Sequence, residues 1–277
     1  MKLIKYLFIA FVATAMVSCG DDEPKNTYTR DFTMIYPQFA PGHKQISKIE
    51  QEDTKGNKIV ATASYDGEHL KSVNVVTKYS TGGGNEETIT FDYKNGAIIC
   101  DKSIQDVTYA IEVNPLGAFT RLKDVTTERI ILSLQYTYDN ELEVAQTSSD
   151  FTKTTWTSGK LMNWTTTTAN KKDSVAYEYG EGAPLNKGGI DVVGNESFTF
   201  TKFVCAIMRN AGYFGATSAY LPTVIKKDID HSNTEADPNA PVQLKRYNIT
   251  YTFDNDGYVK SYTTNETPKY TVTYTYR

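Results

Sequence analysis

Near its C-terminus, the 277-residue chain reads Asn248-Ile-Thr-Tyr-Thr-Phe-Asp-Asn-Asp-Gly-Tyr-Val-Lys-Ser-Tyr262. Apolar or aromatic residues alternate with threonine before the Asp-Asn-Asp-Gly turn, and the alternation resumes after it. Side chains of a strand point alternately to opposite faces, so one face of each arm can cover a core while the other meets water. Gly257 stands at the turn position that tolerates a positive φ angle. The segment therefore predicts a β-hairpin.

Similar patterns recur upstream, each with an aromatic strand, an Asx or glycine turn and an apolar return. They occupy Ala63–Val73, Ile89–Ile99 and Leu134–Val144, with less regular copies at Ile111–Phe119 and Thr155–Trp164. The spacing between copies is irregular, which argues against a solenoid or a propeller of fixed period. The sequence thus predicts an all-β fold built as an antiparallel meander of hairpins.

One long segment interrupts this pattern, from Gly180 to about Val242. Within it, apolar residues at helix-compatible spacing predict one short helix over Glu196–Ala211. The residues that follow, 212–222, are unusually apolar for a loop. Two interpretations stay open. The loop packs over one end of the sheet as a plug, or it presents an aromatic contact surface formed by Tyr213, Phe214 and Tyr220.

The N-terminus predicts lipidation and export. Residues 1–18 contain two lysines and then an apolar run too short to span a bilayer, which is typical of a signal peptide. Met16-Val17-Ser18-Cys19 looks like a bacterial lipobox, in which cleavage precedes a cysteine that carries lipid. Gly20-Asp-Asp-Glu23 resembles the surface-export signal of Bacteroidetes outer-membrane lipoproteins, although a solvated linker has the same composition. We expect a lipidated tether over 19–27 and a single β-rich domain over 28–277, anchored to the outer membrane and exposed at the cell surface.

Composition and motifs argue against several kinds of chemistry. The net charge is -4 and no basic block occurs, so nucleic acid is not an expected partner. His43, His69 and His231 stand in or beside predicted turns, outside any metal-ligand spacing, and no nucleophile elbow is present. We therefore predict no catalytic residues, no metal and no cofactor. Whether Cys100 and Cys205 form a disulfide stays open.

Three features together resemble a family of Bacteroidetes lipoproteins of unknown function, described as having a porin-like fold. They are the lipobox, the aromatic hairpins with Asp-x-x-Gly turns, and above all Gly212-Tyr-Phe-Gly215 leading to Tyr220-Leu-Pro222. The resemblance covers most of the chain from Gln45 onward. It implies a barrel or half-barrel of antiparallel strands, with the segment from Gly180 to Val242 as its plug. These motifs are structural, so no functional residue comes with the resemblance.

The favoured functional hypothesis is a non-enzymatic binding module for a glycan or a surface protein, held at the membrane by its lipid. Sugar recognition uses aromatic faces beside polar groups, and 12% of the residues are aromatic. The candidate binding residues are Trp156, Trp164, Tyr213, Phe214 and Tyr220; burial in the core is the alternative for both tryptophans. Three other roles stay open. One is a carrier of an apolar ligand in the barrel interior, and another is a polysaccharide-acting hydrolase, whose two carboxylates leave no sequence motif. The third is a purely structural component of the cell surface.

Overall fold

The structure is a computed structural model, and it describes residues 40–94, 97–102, 107–113, 118–136, 142–145, 151–168, 171–190, 192, 200–214, 217–229 and 245–277. The predicted signal peptide, the lipidated Cys19, the tether and the first residues of the predicted β-rich domain lie outside this part of the chain.

Within the described residues, sixteen strands follow one another as antiparallel neighbours. They are β1 (Ile46–Asp53), β2 (Lys58–Asp66), β3 (His69–Lys78), β4 (Gly84–Lys94), β5 (Ala97–Lys102), β6 (Val107–Val113), β7 (Phe119–Asp124), β8 (Ile130–Tyr136), β9 (Leu142–Ala145), β10 (Phe151–Thr157), β11 (Lys160–Thr168), β12 (Lys171–Glu178), β13 (Val224–Ile229), β14 (Lys245–Phe253), β15 (Val259–Thr264) and β16 (Tyr270–Tyr276). One helix, α1 (Lys202–Asn210), lies between β12 and β13 in this part of the chain. The predicted all-β meander with one short helix is confirmed.

The sheet closes into a barrel because β1 pairs with both β2 and β16. The closing register runs from Ile46 opposite Tyr276 to Asp53 opposite Tyr270. A closed barrel leaves no unpaired strand edge that could template aggregation. Of the two predicted forms, the structure is therefore the barrel rather than the half-barrel.

The two faces of the barrel wall differ in chemistry. On the inner face, Ile49, Ala61 and Val75 lie side by side on three neighbouring strands, and all three are buried. On the outer face, Glu50 forms ion pairs with Lys48 at 3.0 Å and with Lys58 at 3.2 Å. This is the alternation expected when one face of a sheet covers a core and the other meets solvent.

Helix α1 lies inside the barrel. Residues 203–210 are all buried, as expected for a helix surrounded by a core. At its start, Lys202 Nζ donates a hydrogen bond to Gln51 Oε1 at 2.8 Å, and at its end Asn210 Oδ1 accepts one from Ile46 N–H at 2.7 Å. Since Ile46 and Gln51 lie near opposite ends of β1, the helix runs alongside that strand. None of the helical segments described has the length and apolar character needed to cross a membrane.

Two predicted boundaries are wrong. Helix α1 begins at Lys202 rather than at Glu196. The interruption of the strand pattern does not extend to Val242, because β13 lies within it and pairs with β12 and β14. This strand reads Val-Ile-Lys-Lys-Asp-Ile, and its two adjacent lysines break the apolar–polar alternation that would have predicted it.

The hairpin of β14 and β15 has the predicted turn. Gly257 has a φ angle of +82°, in the left-handed region that favours glycine. Asp254 Oδ1 accepts hydrogen bonds from the N–H groups of Asp256 at 3.0 Å and Tyr258 at 2.8 Å. The aspartate side chain thus satisfies the turn's backbone donors, which is why Asx residues favour such turns.

Candidate functional site

The segment between β12 and β13 closes one end of the barrel, and we call its described residues (180–190, 192, 200–214 and 217–223) the plug. Tyrosines of the wall hold it in place. The hydroxyl of Tyr262 donates to the carbonyl of Val192 at 3.1 Å, and that of Tyr251 to the carbonyl of Pro222 at 2.7 Å. A buried tyrosine ring supplies apolar area while its hydroxyl satisfies a backbone acceptor, so these residues suit a wall that packs against irregular backbone.

Asn210, at the end of α1, fastens the plug to the first strand. It is fully buried, and its Oδ1 accepts the N–H of Ile46 at 2.7 Å. Its Nδ2 donates to the carbonyls of Gly188 at 2.7 Å and Lys44 at 3.2 Å. The Nε2 atom of His43 lies 3.1 Å from the Asn210 carbonyl, and burial lowers the pKa of this imidazole. The Asn210 side chain therefore joins the end of α1 to two other backbone segments, one at residues 44–46 and one at Gly188.

A pocket lies where the plug meets the rim of β10, β11 and β12, and we call it the rim pocket. Its aromatic lining residues are Trp156, Tyr177, Tyr179 and Tyr220. Its polar lining residues are Asn186, Arg209, Thr217 and Ser218. The empty volume, including the part open to solvent, is about 360 Å³. Sites for small ligands combine apolar and aromatic walls with a few polar groups.

Hydrogen bonds fix the wall of the rim pocket. Asn186 Nδ2 donates to the carbonyls of Ile190 and Ser218, each at 3.0 Å, and its Oδ1 accepts the N–H of Ile190 at 2.9 Å. The hydroxyl of Tyr179 donates to the carbonyl of Leu161 at 2.7 Å and lies 2.9 Å from Ser218 Oγ. Because these groups are already ordered, a ligand that enters the pocket would not have to order them.

Arg209 brings a positive charge to the pocket wall. It belongs to the last turn of α1 and is only 5% exposed. Its guanidinium carbon lies 5.4 Å from the ring centroid of Phe214 and 6.0 Å from that of Trp164, distances at which a cation is attracted to an aromatic face. The predicted binding residue Trp164 is itself buried. Its ring contacts Arg209, and Trp164 is not one of the residues that line the pocket.

A second cation, Lys160, lies at the start of β11, where β10 turns into it. Its Nζ is 5.5 Å from the ring centroid of Tyr179 and 5.1 Å from that of Tyr220. Both tyrosines line the rim pocket, as does Trp156, whose Nε1 donates to Thr154 Oγ1 at 3.0 Å. The structure thus brings together two of the predicted binding residues, Trp156 and Tyr220, from distant parts of the sequence.

Tyr213 and Phe214, also predicted as binding residues, are buried within the plug, with exposures of 9% and 1%. The hydroxyl of Tyr213 is hydrogen bonded to that of Tyr93, and the ring of Phe214 lies 5.7 Å from that of Phe119 in an edge-to-face contact. The predicted aromatic contact surface at these two residues is therefore wrong for this structure, because packing against the barrel wall covers both rings. Both residues instead fit the other interpretation of this loop, in which it packs over one end of the sheet as a plug.

Sequence reasoning missed Tyr179, Asn186 and Arg209 as pocket residues, and it missed Lys160, which lies over two of the pocket's rings. One signal for Arg209 was present, since it follows a run of apolar residues in α1, where a charge needs a partner or a role. Lys160 and Tyr179 stand beside turns and carry no comparable signal. Their importance arises from the docking of the plug, which sequence spacing does not show.

The described residues contain no group of three or more metal-ligating side chains that could hold an ion. His231 lies outside the described residues, and His69 is exposed. Cys100 and Cys205 are buried free thiols rather than a disulfide, and burial raises the pKa of Cys100 to about 12. A thiol with so high a pKa is a poor nucleophile at neutral pH. The described lining of the rim pocket includes no carboxylate.

Fold and site together define the protein as a closed antiparallel barrel with an internal helical plug and a small aromatic pocket at one rim. Its fold is similar to that of a porin-like protein from Bacteroides uniformis ATCC 8492, with a TM-score of 0.60 and 15% identity over 84% of this chain and 98% of that one. A porin-like protein from Bacteroides vulgatus ATCC 8482 has a TM-score of 0.51 and 14% identity over 84% and 99% of the two chains. No protein family and no curated protein matches the sequence. The predicted porin-like fold is confirmed, and at such identities the similarity shows the fold alone.

Proposed function

We propose that the protein is a non-enzymatic glycan-binding module, tethered to the outer membrane through a lipid on Cys19 and facing the medium. The proposal rests on one observation: Trp156 and Tyr220 line the rim pocket together with the polar residues Asn186 and Ser218. A sugar ring offers an apolar C–H face to an aromatic ring and hydroxyl groups to polar neighbours, and this pocket presents both kinds of surface.

The size and lining of the pocket favour this function over the alternatives. A surface-protein partner typically covers about 800 Å² on each side, whereas the rim pocket is a small recess between the plug and the ends of three strands. A carrier needs an empty lumen, but α1 and the residues packed on it occupy the described interior. A glycosidase needs two carboxylates about 5 to 10 Å apart, and the described lining residues supply none.

The binding proposal predicts that Trp156→Ala and Tyr220→Ala each weaken glycan binding about tenfold or more, because each removes a ring face that the sugar would contact. The full chain, purified in detergent, would be titrated with neutral and acidic oligosaccharides by calorimetry. Tyr79→Ala is the matched control, since Tyr79 is 54% exposed in the turn after β3, at the opposite rim. Equal affinity in the wild type and both pocket variants would contradict the proposal.

The outer wall supports a lipid tether rather than insertion of the barrel into the bilayer. A barrel that spans a membrane presents an apolar band to lipid, but the described outer wall carries ion pairs such as Arg121 with Glu112 at 3.1 Å. We therefore expect Cys19→Ala to move the protein from the membrane fraction to the soluble fraction, as judged by fractionation and immunoblotting. Unchanged recovery in the membrane fraction would argue against the lipid as the anchor.

A further inference from the structure

We propose that the rim pocket prefers a sugar that carries a carboxylate, namely a uronic acid residue of a polysaccharide. This inference rests on the proposed glycan-binding function and specifies the chemical class of its ligand. Three features of the pocket carry it: a guanidinium in the wall, an ammonium held on the aromatic rings, and a buried hydroxyl.

Arg209 lines the rim pocket and brings a guanidinium to its wall. It carries five N–H donors in a planar fork whose geometry matches a carboxylate. The guanidinium carbon lies 6.0 Å from the ring centroid of Trp164 and 5.4 Å from that of Phe214. Since it is almost completely withdrawn from water, a charge-assisted hydrogen bond at this position is screened less than one at the surface.

The ammonium of Lys160 lies over the rings of Tyr179 and Tyr220, which are two of the faces a sugar would use. A neutral sugar that stacked on these rings would displace the ammonium and return it to water. A uronic acid would offer the displaced ammonium a carboxylate at the same place. The lysine stem is long and only partly buried, so it can swing from ring to ligand while remaining in contact with the rim.

Thr217 adds a buried polar atom to the pocket wall. This residue is 2% exposed and lines the pocket, and its Oγ1 has no hydrogen-bond partner among the described residues. Buried polar atoms are nearly always paired, so an orphan hydroxyl in a pocket wall marks a position where a ligand atom would be stabilised. No carboxylate occurs among the described lining residues to repel an anion from it.

The test compares each uronate polysaccharide with its carboxyl-reduced form, which keeps the same rings and linkages but replaces the carboxylate with a hydroxymethyl group. The full chain in detergent is titrated by calorimetry with polygalacturonate, alginate and chondroitin and with their reduced counterparts. We expect at least one acidic form to bind about tenfold more tightly than its reduced counterpart. Raising the salt concentration should weaken the acidic ligand more than the neutral one, because only the former depends on charge.

Two variants test whether the preference for the acidic form arises from the rim pocket. Lys160→Gln should reduce the acidic preference at least about fivefold, because the acidic form loses the ammonium that would pair with its carboxylate. Lys153→Gln is the matched control, since Lys153 is an exposed residue of β10. Arg209→Lys keeps the charge and removes the planar fork, and should also reduce the preference. A melting curve of each variant separates loss of recognition from loss of folding.

The outcomes separate this inference from the proposed function. Binding of acidic and reduced forms with equal affinity, lost in Trp156→Ala, would overturn the carboxylate preference and leave the glycan-binding function standing. An acidic preference that persists in both Lys160→Gln and Arg209→Lys would also overturn it. Absence of binding to every acidic and neutral glycan would overturn both proposals.

Discussion

Replacing Asn210 by alanine is expected to lower the free energy of unfolding by about 3 kcal/mol, because several buried backbone groups lose their partner at once. The N–H of Ile46 and the carbonyl of Gly188 would each lose a hydrogen bond of 2.7 Å, and the carbonyl of Lys44 one of 3.2 Å. Asn210 is fully buried, so water cannot replace the missing amide without disturbing the packing around it. The melting temperature should fall by about 6 to 12 °C.

Denaturant titration followed by tryptophan fluorescence measures this loss, and Asn163→Ala is its control. The Asn163 amide also donates a side-chain hydrogen bond, to Thr155 Oγ1 at 3.1 Å, but on the exposed outer wall. Water can satisfy the groups left behind there, so the control should lose less than about 1 kcal/mol. Equal losses in the two variants would show that Asn210 does not fasten the plug to the barrel.

The hairpins were predictable because their signals are local. In the hairpin of β14 and β15, the alternation sets the two faces of each strand, and Asp254 and Gly257 supply the turn within a few residues. Local signals could not show that β1 pairs with β16, since that register joins opposite ends of the domain. They also missed β13, whose adjacent lysines hide its alternation.

The rim pocket was only partly predictable, because its residues become neighbours through the plug. The two tryptophans illustrate the difficulty. Trp164 lies opposite Thr154 in the register of β10 and β11, whereas Trp156 lies opposite Leu161, one step beyond a bulge and nearer the turn. This difference in depth buries Trp164 behind Arg209 and leaves Trp156 at the pocket. Sequence spacing contains neither the bulge nor the position of the plug against it.

The aromatic composition on which the binding hypothesis first depended has a mainly structural origin. Buried tyrosines such as Tyr262 pack against the core and donate their hydroxyl groups to the plug backbone. A high aromatic content therefore favours a ligand site only where rings remain accessible beside polar groups. In the described residues that condition is met at Trp156, Tyr179 and Tyr220, and it is not met at Tyr213.

Phe214→Ala is expected to lower the free energy of unfolding by about 3 to 5 kcal/mol, the usual cost of removing a fully buried phenylalanine ring. The ring is 1% exposed, meets Phe119 of β7 edge to face, and lies under the guanidinium of Arg209. Its loss would leave a cavity between plug and wall and would also loosen the arginine. Calorimetric melting of the full chain measures the first effect, and glycan titration of the folded variant measures the second.

Phe253→Ala is the matched control, because Phe253 is 40% exposed at the end of β14 and its removal leaves no buried cavity. The pair of variants decides between the two interpretations of the apolar loop that the sequence left open. A large loss of stability at Phe214, with little at Phe253, is the result that a plug requires. If Phe214→Ala instead melted at the wild-type temperature and bound glycan less tightly, the ring would be a ligand surface. The packing of the plug would then have to open in solution.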